Sequence, residues 1–177
     1  MFAFLSARPA SSLDDFQQVL ARRGERWYSA CVRVTGDPAL AEDAVQEALL
    51  KAWSRRAEFR GDAQIDTWIH RIAINAAIDQ LRRHRPGFAE GPDEQLADPG
   101  DGPVTVQARS ELGRDLGHAM ARLTDLERTC FVLKHQEGWP LDDIAAQLGN
   151  SINGIKQALF RAVRKLRSDL QQWRGEA

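Results

Sequence analysis

Leu40, Ala41, Ala44, Val45, Ala48, Leu49, Ala52 and Trp53 recur at intervals of three and four, the spacing that gathers apolar side chains on one face of an α-helix. Asp37-Pro38 supplies an N-cap and a first-turn proline. The opposite face carries Glu42, Asp43, Gln46, Glu47 and Lys51. An earlier helix, from about Leu13 to Val34, is expected to pack on the apolar stripe. A third is predicted from Asp66 to Arg85. Trp68, Ile69, Ile72, Ala73 and Ala76 form one apolar row, Ile78 and Leu81 a second, and Arg82-Arg83-His84-Arg85 ends the run before Pro86 stops it. A helix of about 20 residues is about 30 Å long, enough to lie across a DNA duplex.

The sharpest local pattern lies between Leu141 and Phe160. Ile144 and Leu148 form a stripe on a short helix, Gly149 suits a left-handed turn, Ser151 can cap a second helix, and Ile155 and Ala158 pack back. Ala145 is small where the two helix axes would cross. This constellation predicts a helix-turn-helix whose second helix presents Asn153, Lys156, Gln157, Phe160, Arg161 and Arg164 to a major groove. No stretch alternates with period two, so the fold class is all-α, with two small helical domains.

Composition sets the boundary between them. From Pro86 to Pro103 the chain holds four of its seven prolines and four of its thirteen glycines, five carboxylates and no Lys or Arg. That composition marks an acidic Pro/Gly-rich linker, assigned to 86–108, between domains at 1–85 and 109–177. The net charge of −1 over 177 residues points to no partner, but its distribution does. From Lys156 to Arg167 there are five basic residues and no acidic one, a local footprint for phosphate. No apolar run approaches a membrane span, and the opening Met1-Phe-Ala-Phe-Leu5 lacks the basic flank of a secretory signal. The expected location is cytoplasmic.

Candidate chemistry is sparse. Cys31 and Cys130 stand alone in apolar helical contexts and no residues have metal-ligand spacing, so both thiols are expected in the core and no metal is expected. Asp43 and Glu47 share one helical face, yet no His, phosphate loop or second carboxylate cluster accompanies them. A protein-docking face or plain solvated helix explains them better than catalysis. On the third helix Trp68, with Phe59 before it, offers stacking surface, while Asn75, Asp79, Arg82, Arg83 and Arg85 add polar and cationic groups. Such a set suits unpaired nucleic acid, while a buried Trp68 and a basic end opposite the helix dipole would explain the same residues without DNA. A conventional dimeric helix-turn-helix regulator would account for Leu141 to Phe160 and for nothing before Pro86.

Taken in order, several strings resemble the extracytoplasmic-function (ECF) group of the sigma-70 family of bacterial RNA polymerase sigma factors. They are Ala41-Glu-Asp-Ala-Val-Gln-Glu47 with Ala52-Trp53, Phe59-Arg-Gly-Asp62, Thr67-Trp-Ile-His-Arg-Ile-Ala-Ile-Asn75 with Asp79 and Leu81-Arg-Arg83, then Leu123 with Glu127-Arg128, Gly138, Asp143-Ile-Ala145, Leu148-Gly149 and Lys156. The resemblance implies a specificity subunit without its own catalytic site or cofactor, which directs core RNA polymerase to promoters. It implies that Asp43, Gln46 and Glu47 dock on the β′ clamp helices. Phe59, Trp68 and Asn75 would capture an unpaired base of the −10 element, with Asp79, Arg82 and Arg83 on its reading helix. Ser151, Asn153, Lys156, Gln157, Phe160, Arg161 and Arg164 would bind the −35 element, in a domain held by the β flap. An anti-sigma factor is a further implied partner. Pro140 departs from the family's usual capping Ser or Thr, and Gly154, Gln157 and Ala158 depart from its common residues. By helix propensity alone Gly154 loosens the recognition helix by about 1 kcal/mol relative to Ala.

Overall fold

The structure is a computed structural model that describes residues 13–59, 64–89 and 111–171. The described residues form helices and turns and no strand. Most of the linker expected at 86–108 lies outside them.

The first module contains α1 (Leu13–Thr35), α2 (Pro38–Ser54) and α3 (Ile65–His84), within a residue or two of the helices that periodicity predicts. Asp37 caps α2 by accepting from the backbone N–H of Ala39 (2.9 Å) and Leu40 (3.3 Å), and Pro38 occupies the first turn. Ala41, Ala44, Ala48 and Ala52 are all buried. Four small residues on one face bring α2 close to α1 and α3, because interaxial distance follows side-chain size. Trp27 of α1 is buried and its indole N–H donates to Asp66 Oδ1 (2.9 Å), while Arg26 reaches Oδ2 (3.2 Å). Asp66 sits in the first turn of α3, where its charge also complements the helix dipole. Cys31 and Cys130 are free and fully buried, and burial pushes both thiols up to about 12. They act as small core hydrophobes, as expected.

The second module contains α4 (Glu111–Ala121), α5 (Asp125–Phe131), a π-helical turn at Val132–Gln136, α6 (Leu141–Leu148) and α7 (Ile152–Asp169). Gly149 ends α6 at φ 66° and Ser151 caps α7 by accepting from Gly154 N (3.0 Å). Ile144, Ala145 and Leu148 pack on Ile155 and Ala158. The helix-turn-helix is therefore formed by the residues that predicted it. Pro140 stands at the N-cap of α6 with no side-chain bond, as its lack of a hydroxyl requires.

The two modules share one core: Trp27, Val34 and Ile74 belong to the same buried cluster as Leu126, Leu133 and Ile144. Polar contacts pin the seam. Arg128 of α5 is buried and donates to Val34 O (3.3 Å) and Thr35 O (2.7 Å), two carbonyls at the end of α1. It also pairs with Asp125, which Arg85 reaches at 2.6 Å. Gly36, at φ 66°, leaves room for this guanidinium: a Cβ there would lie 2.6 Å from Arg128 Cζ. His70 Nε2 donates to Glu137 Oε2 (2.6 Å), with Arg33 3.7 Å from the other oxygen.

The hydrogen bond from His70 holds Glu137 below the usual carboxylate range, against the opposing effect of burial and with help from the charges of His70, Arg33 and Arg26. A carboxyl whose folded value is depressed stabilises the fold fully above its ordinary value, 4.5 here, and loses that contribution as pH falls through the folded value. Urea unfolding followed from about pH 7 down to about pH 3 should therefore show the wild type losing stability more steeply below about pH 4.5 than Glu137→Gln. Parallel curves would remove Glu137 as the source.

Candidate functional site

Three groups of side chains stand out on the surface. On α2, Asp43 and Gln46 are exposed beside Leu50, a large hydrophobe 72% exposed. Glu47 differs from its neighbours. It is half-buried and binds Lys51 (2.6 Å), Arg83 (2.5 Å) and Gln80 (3.3 Å). Burial raises its pKa, but the hydrogen bonds and charges of Lys51 and Arg83 outweigh that and leave it lowered. Glu47 thus fastens α2 to the end of α3, and the freely presented acidic face is narrower than the sequence suggests.

The second group runs along α3. Phe59 lies just before it, and its ring is 5.4 Å from that of Trp68 at an interplanar angle of 43°, a tilted pair within the usual contact distance of aromatic rings. Both rings are half-buried, so each keeps an edge or face accessible. Asn75 lies two turns further along, and its buried Oδ1 has no hydrogen-bond partner among the described residues. A buried amide oxygen without a donor is costly. Asp79 pairs with Arg82 (3.1 Å) and approaches Lys51 (3.9 Å). Trp68, Asn75, Asp79 and Arg82 are spaced 7, 4 and 3 apart and so form one stripe on the helix. Arg82 also donates to Gln147 O of α6 (2.8 Å), and Arg71 pairs with Asp143 (3.2 Å). The stripe therefore borders the seam between modules.

The third group is α7. Ser151, Asn153, Lys156, Gln157, Phe160 and Arg164 are exposed, Phe160 at 69%, while Ile155, Ala158, Ala162 and Leu166 are buried. Arg161 stands apart from the predicted set. Its Nε donates to Glu127 Oε1 (3.2 Å), and Lys165 one turn on donates to Glu127 Oε2 (2.7 Å). Glu127, on α5, is 2% exposed. Sequence reading missed its part in this surface, although Thr124-x-x-Glu127 is a legible capping box.

Gly154 also differs from its propensity reading. A Cβ there would meet Asn150 Oδ1 at 2.1 Å, and the Asn150 amide spans the seam by donating to Ala89 O (2.5 Å). Gly154→Ala is accordingly expected to show none of the roughly 1 kcal/mol gain that helix propensity alone assigns, as measured by denaturant unfolding. A full gain would mean that Asn150 moves aside without cost.

Among the described residues no group of three or more His, Cys, Asp or Glu is placed to hold a metal ion, and no helix is long and apolar enough to cross a membrane.

Two family models match the chain: Sigma-70 region 2 over residues 20–86 and Sigma-70, region 4 over residues 113–166. The first coincides with α1 to α3, the second with α4 to α7. The RNA polymerase sigma-H factor of Pseudomonas aeruginosa is 32% identical over 158 residues, covering 82% of this chain and 81% of the relative. The ECF RNA polymerase sigma factor SigL of Mycobacterium tuberculosis is 35% identical over 144 residues, covering 80% of each. Among solved structures, the sigma factor RpoE of Bartonella quintana, crystallised with the anti-sigma factor NepR, superposes with a TM-score of 0.58 at 25% identity, covering 90% of this chain and 98% of that one. The chain belongs to the sigma-70 family, in its ECF group. It is a promoter-specific transcription initiation factor.

Proposed function

We propose a division of labour along the chain: residues 1–85 bind core polymerase and melt the −10 element, 86–108 tether, and 109–177 read the −35 element. Asp43 and Gln46, with the exposed Leu50 on the same helix, dock on the β′ clamp helices, and Glu47 holds that face in register through Lys51 and Arg83. The observation that carries the −10 assignment is the half-buried Phe59–Trp68 ring pair at the head of a stripe that continues through Asn75, Asp79 and Arg82. An extruded base needs an aromatic surface and an amide for its edge. Asp79, Arg82 and Arg83 extend the stripe toward the backbone. On α7 the exposed Ser151, Asn153, Lys156, Gln157, Phe160 and Arg164 form the −35 reader, with Arg161 beside them, in a domain held by the β flap.

The protein adds no catalytic step of its own. Two modules too weak to select a promoter singly gain selectivity when polymerase fixes their spacing, because the second contact becomes intramolecular. Strand opening follows from the greater affinity of the first module for an extruded base than for a stacked one. The protein works in the cytoplasm with core polymerase, and an anti-sigma factor is its proposed regulator, as NepR accompanies the Bartonella quintana relative.

Run-off transcription by purified core polymerase on a pool of genomic promoter fragments, with and without the protein, tests this reading. Initiation from a defined subset only when the protein is present is the expected result. Duplex binding as a dimer, with no polymerase association and no initiation, would overturn it.

A further inference from the structure

We infer that Glu127 is the positioning residue of the −35 reader, and that it withdraws Arg161 and Lys165 from the DNA-facing surface of α7. This rests on the proposed −35 role of α7. Glu127 is 2% exposed, yet both its oxygens are filled from above: Oε1 by Arg161 (3.2 Å) and Oε2 by Lys165 (2.7 Å). The same Oε2 accepts from Thr124 N (3.1 Å), and Thr124 Oγ1 accepts from Glu127 N (3.3 Å). The carboxylate is thereby fixed to the start of α5 before it touches α7. Removing Arg161 takes the charged donor from Oε1, and a buried carboxylate oxygen tolerates the loss of its donor poorly.

The consequence for α7 is geometric. Arg161 and Lys165 are one turn apart and share a helix flank, and both reach toward α5 with side chains only 28% and 33% exposed. Two fixed points one turn apart set the rotation of α7 about its own axis. That rotation decides which residues meet a groove: Asn153, Lys156, Gln157, Phe160 and Arg164, all exposed. Of the five basic residues from Lys156 to Arg167, Glu127 engages two and offsets the charge of one. The reader keeps enough charge to approach phosphate while most of its contact surface is left for bases, which carry the sequence information.

The test uses the full chain assembled with core polymerase and a promoter duplex on which it directs run-off transcription. Binding is titrated against salt, and against the same duplex with its −35 region scrambled. Arg164→Gln should reduce the slope of log affinity against log salt by about 0.9, the amount for one lost phosphate contact. Arg161→Gln should leave the slope unchanged while lowering discrimination for the −35 sequence several-fold, and Arg161→Lys should restore discrimination. Glu127→Gln should steepen the slope by between about 0.9 and about 1.8 as the freed cations reach phosphates, with discrimination falling about tenfold. Arg161→Gln flattening the slope as much as Arg164→Gln does would overturn the inference, as would Glu127→Gln changing neither quantity. If Arg164→Gln and Lys156→Gln are themselves silent on a promoter that the protein serves, the −35 reading of α7 fails, and the inference with it.

Discussion

Arg128→Ala should cost about 3 kcal/mol and divide a single unfolding transition into two. The estimate follows from the two charge-assisted hydrogen bonds that Arg128 makes to Val34 O and Thr35 O, each worth about 1.5–3 kcal/mol when the donor is charged. It is tempered because the desolvation of the guanidinium is recovered in the variant. The carbonyls at the end of α1 lose their donor, while Asp125 keeps Arg85 at 2.6 Å. Arg128→Lys should recover little, since one ammonium does not reproduce a planar fork. Calorimetry reads the outcome: a single transition at the wild-type temperature would mean that the shared apolar core alone holds the modules together.

Trp68→Ala and Asn75→Ala should slow promoter opening far more than they weaken the initial closed complex. Stacking of a base on an aromatic ring contributes about 1–3 kcal/mol, so Trp68→Ala is expected to reduce the opening equilibrium by roughly tenfold to hundredfold. Asn75→Ala removes one amide contact and should cost about tenfold. The second variant is the cleaner one, because Trp68 also packs on the core whereas Asn75 Oδ1 has no hydrogen bond to lose among the described residues. Permanganate reactivity of unpaired thymines reports opening, and a mobility shift at low temperature reports the closed complex. Equal losses in the two assays would count against base capture.

Most of the fold could be read from periodicity, because each predicted helix buries the face that its apolar spacing marked. The helix-turn-helix was the clearest case, since Gly149, Ser151 and Ala145 each have one conformational reason to stand where they do. The seam between modules was not legible. Arg128 lies in the sequence like any surface cation, and its partners are the carbonyls of Val34 and Thr35, more than ninety positions away. Backbone acceptors leave no trace in residue identity. The bond from Arg161 to Glu127 was equally illegible, because helical spacing says which residues share a flank and not which of them another helix has already engaged. Glu47 shows it again: its spacing put it on the docking face, and Arg83 and Lys51 draw it inward.

Gly36 gives the seam a further property. With no side chain, it lets the guanidinium of Arg128 rest against the backbone where α1 turns into α2. A single methyl at that position would act as a wedge, occupying the guanidinium's place and straining a left-handed turn at once. The hydrogen atom on the Gly36 α-carbon is thus the clearance that lets the Arg128 guanidinium lie against the end of α1.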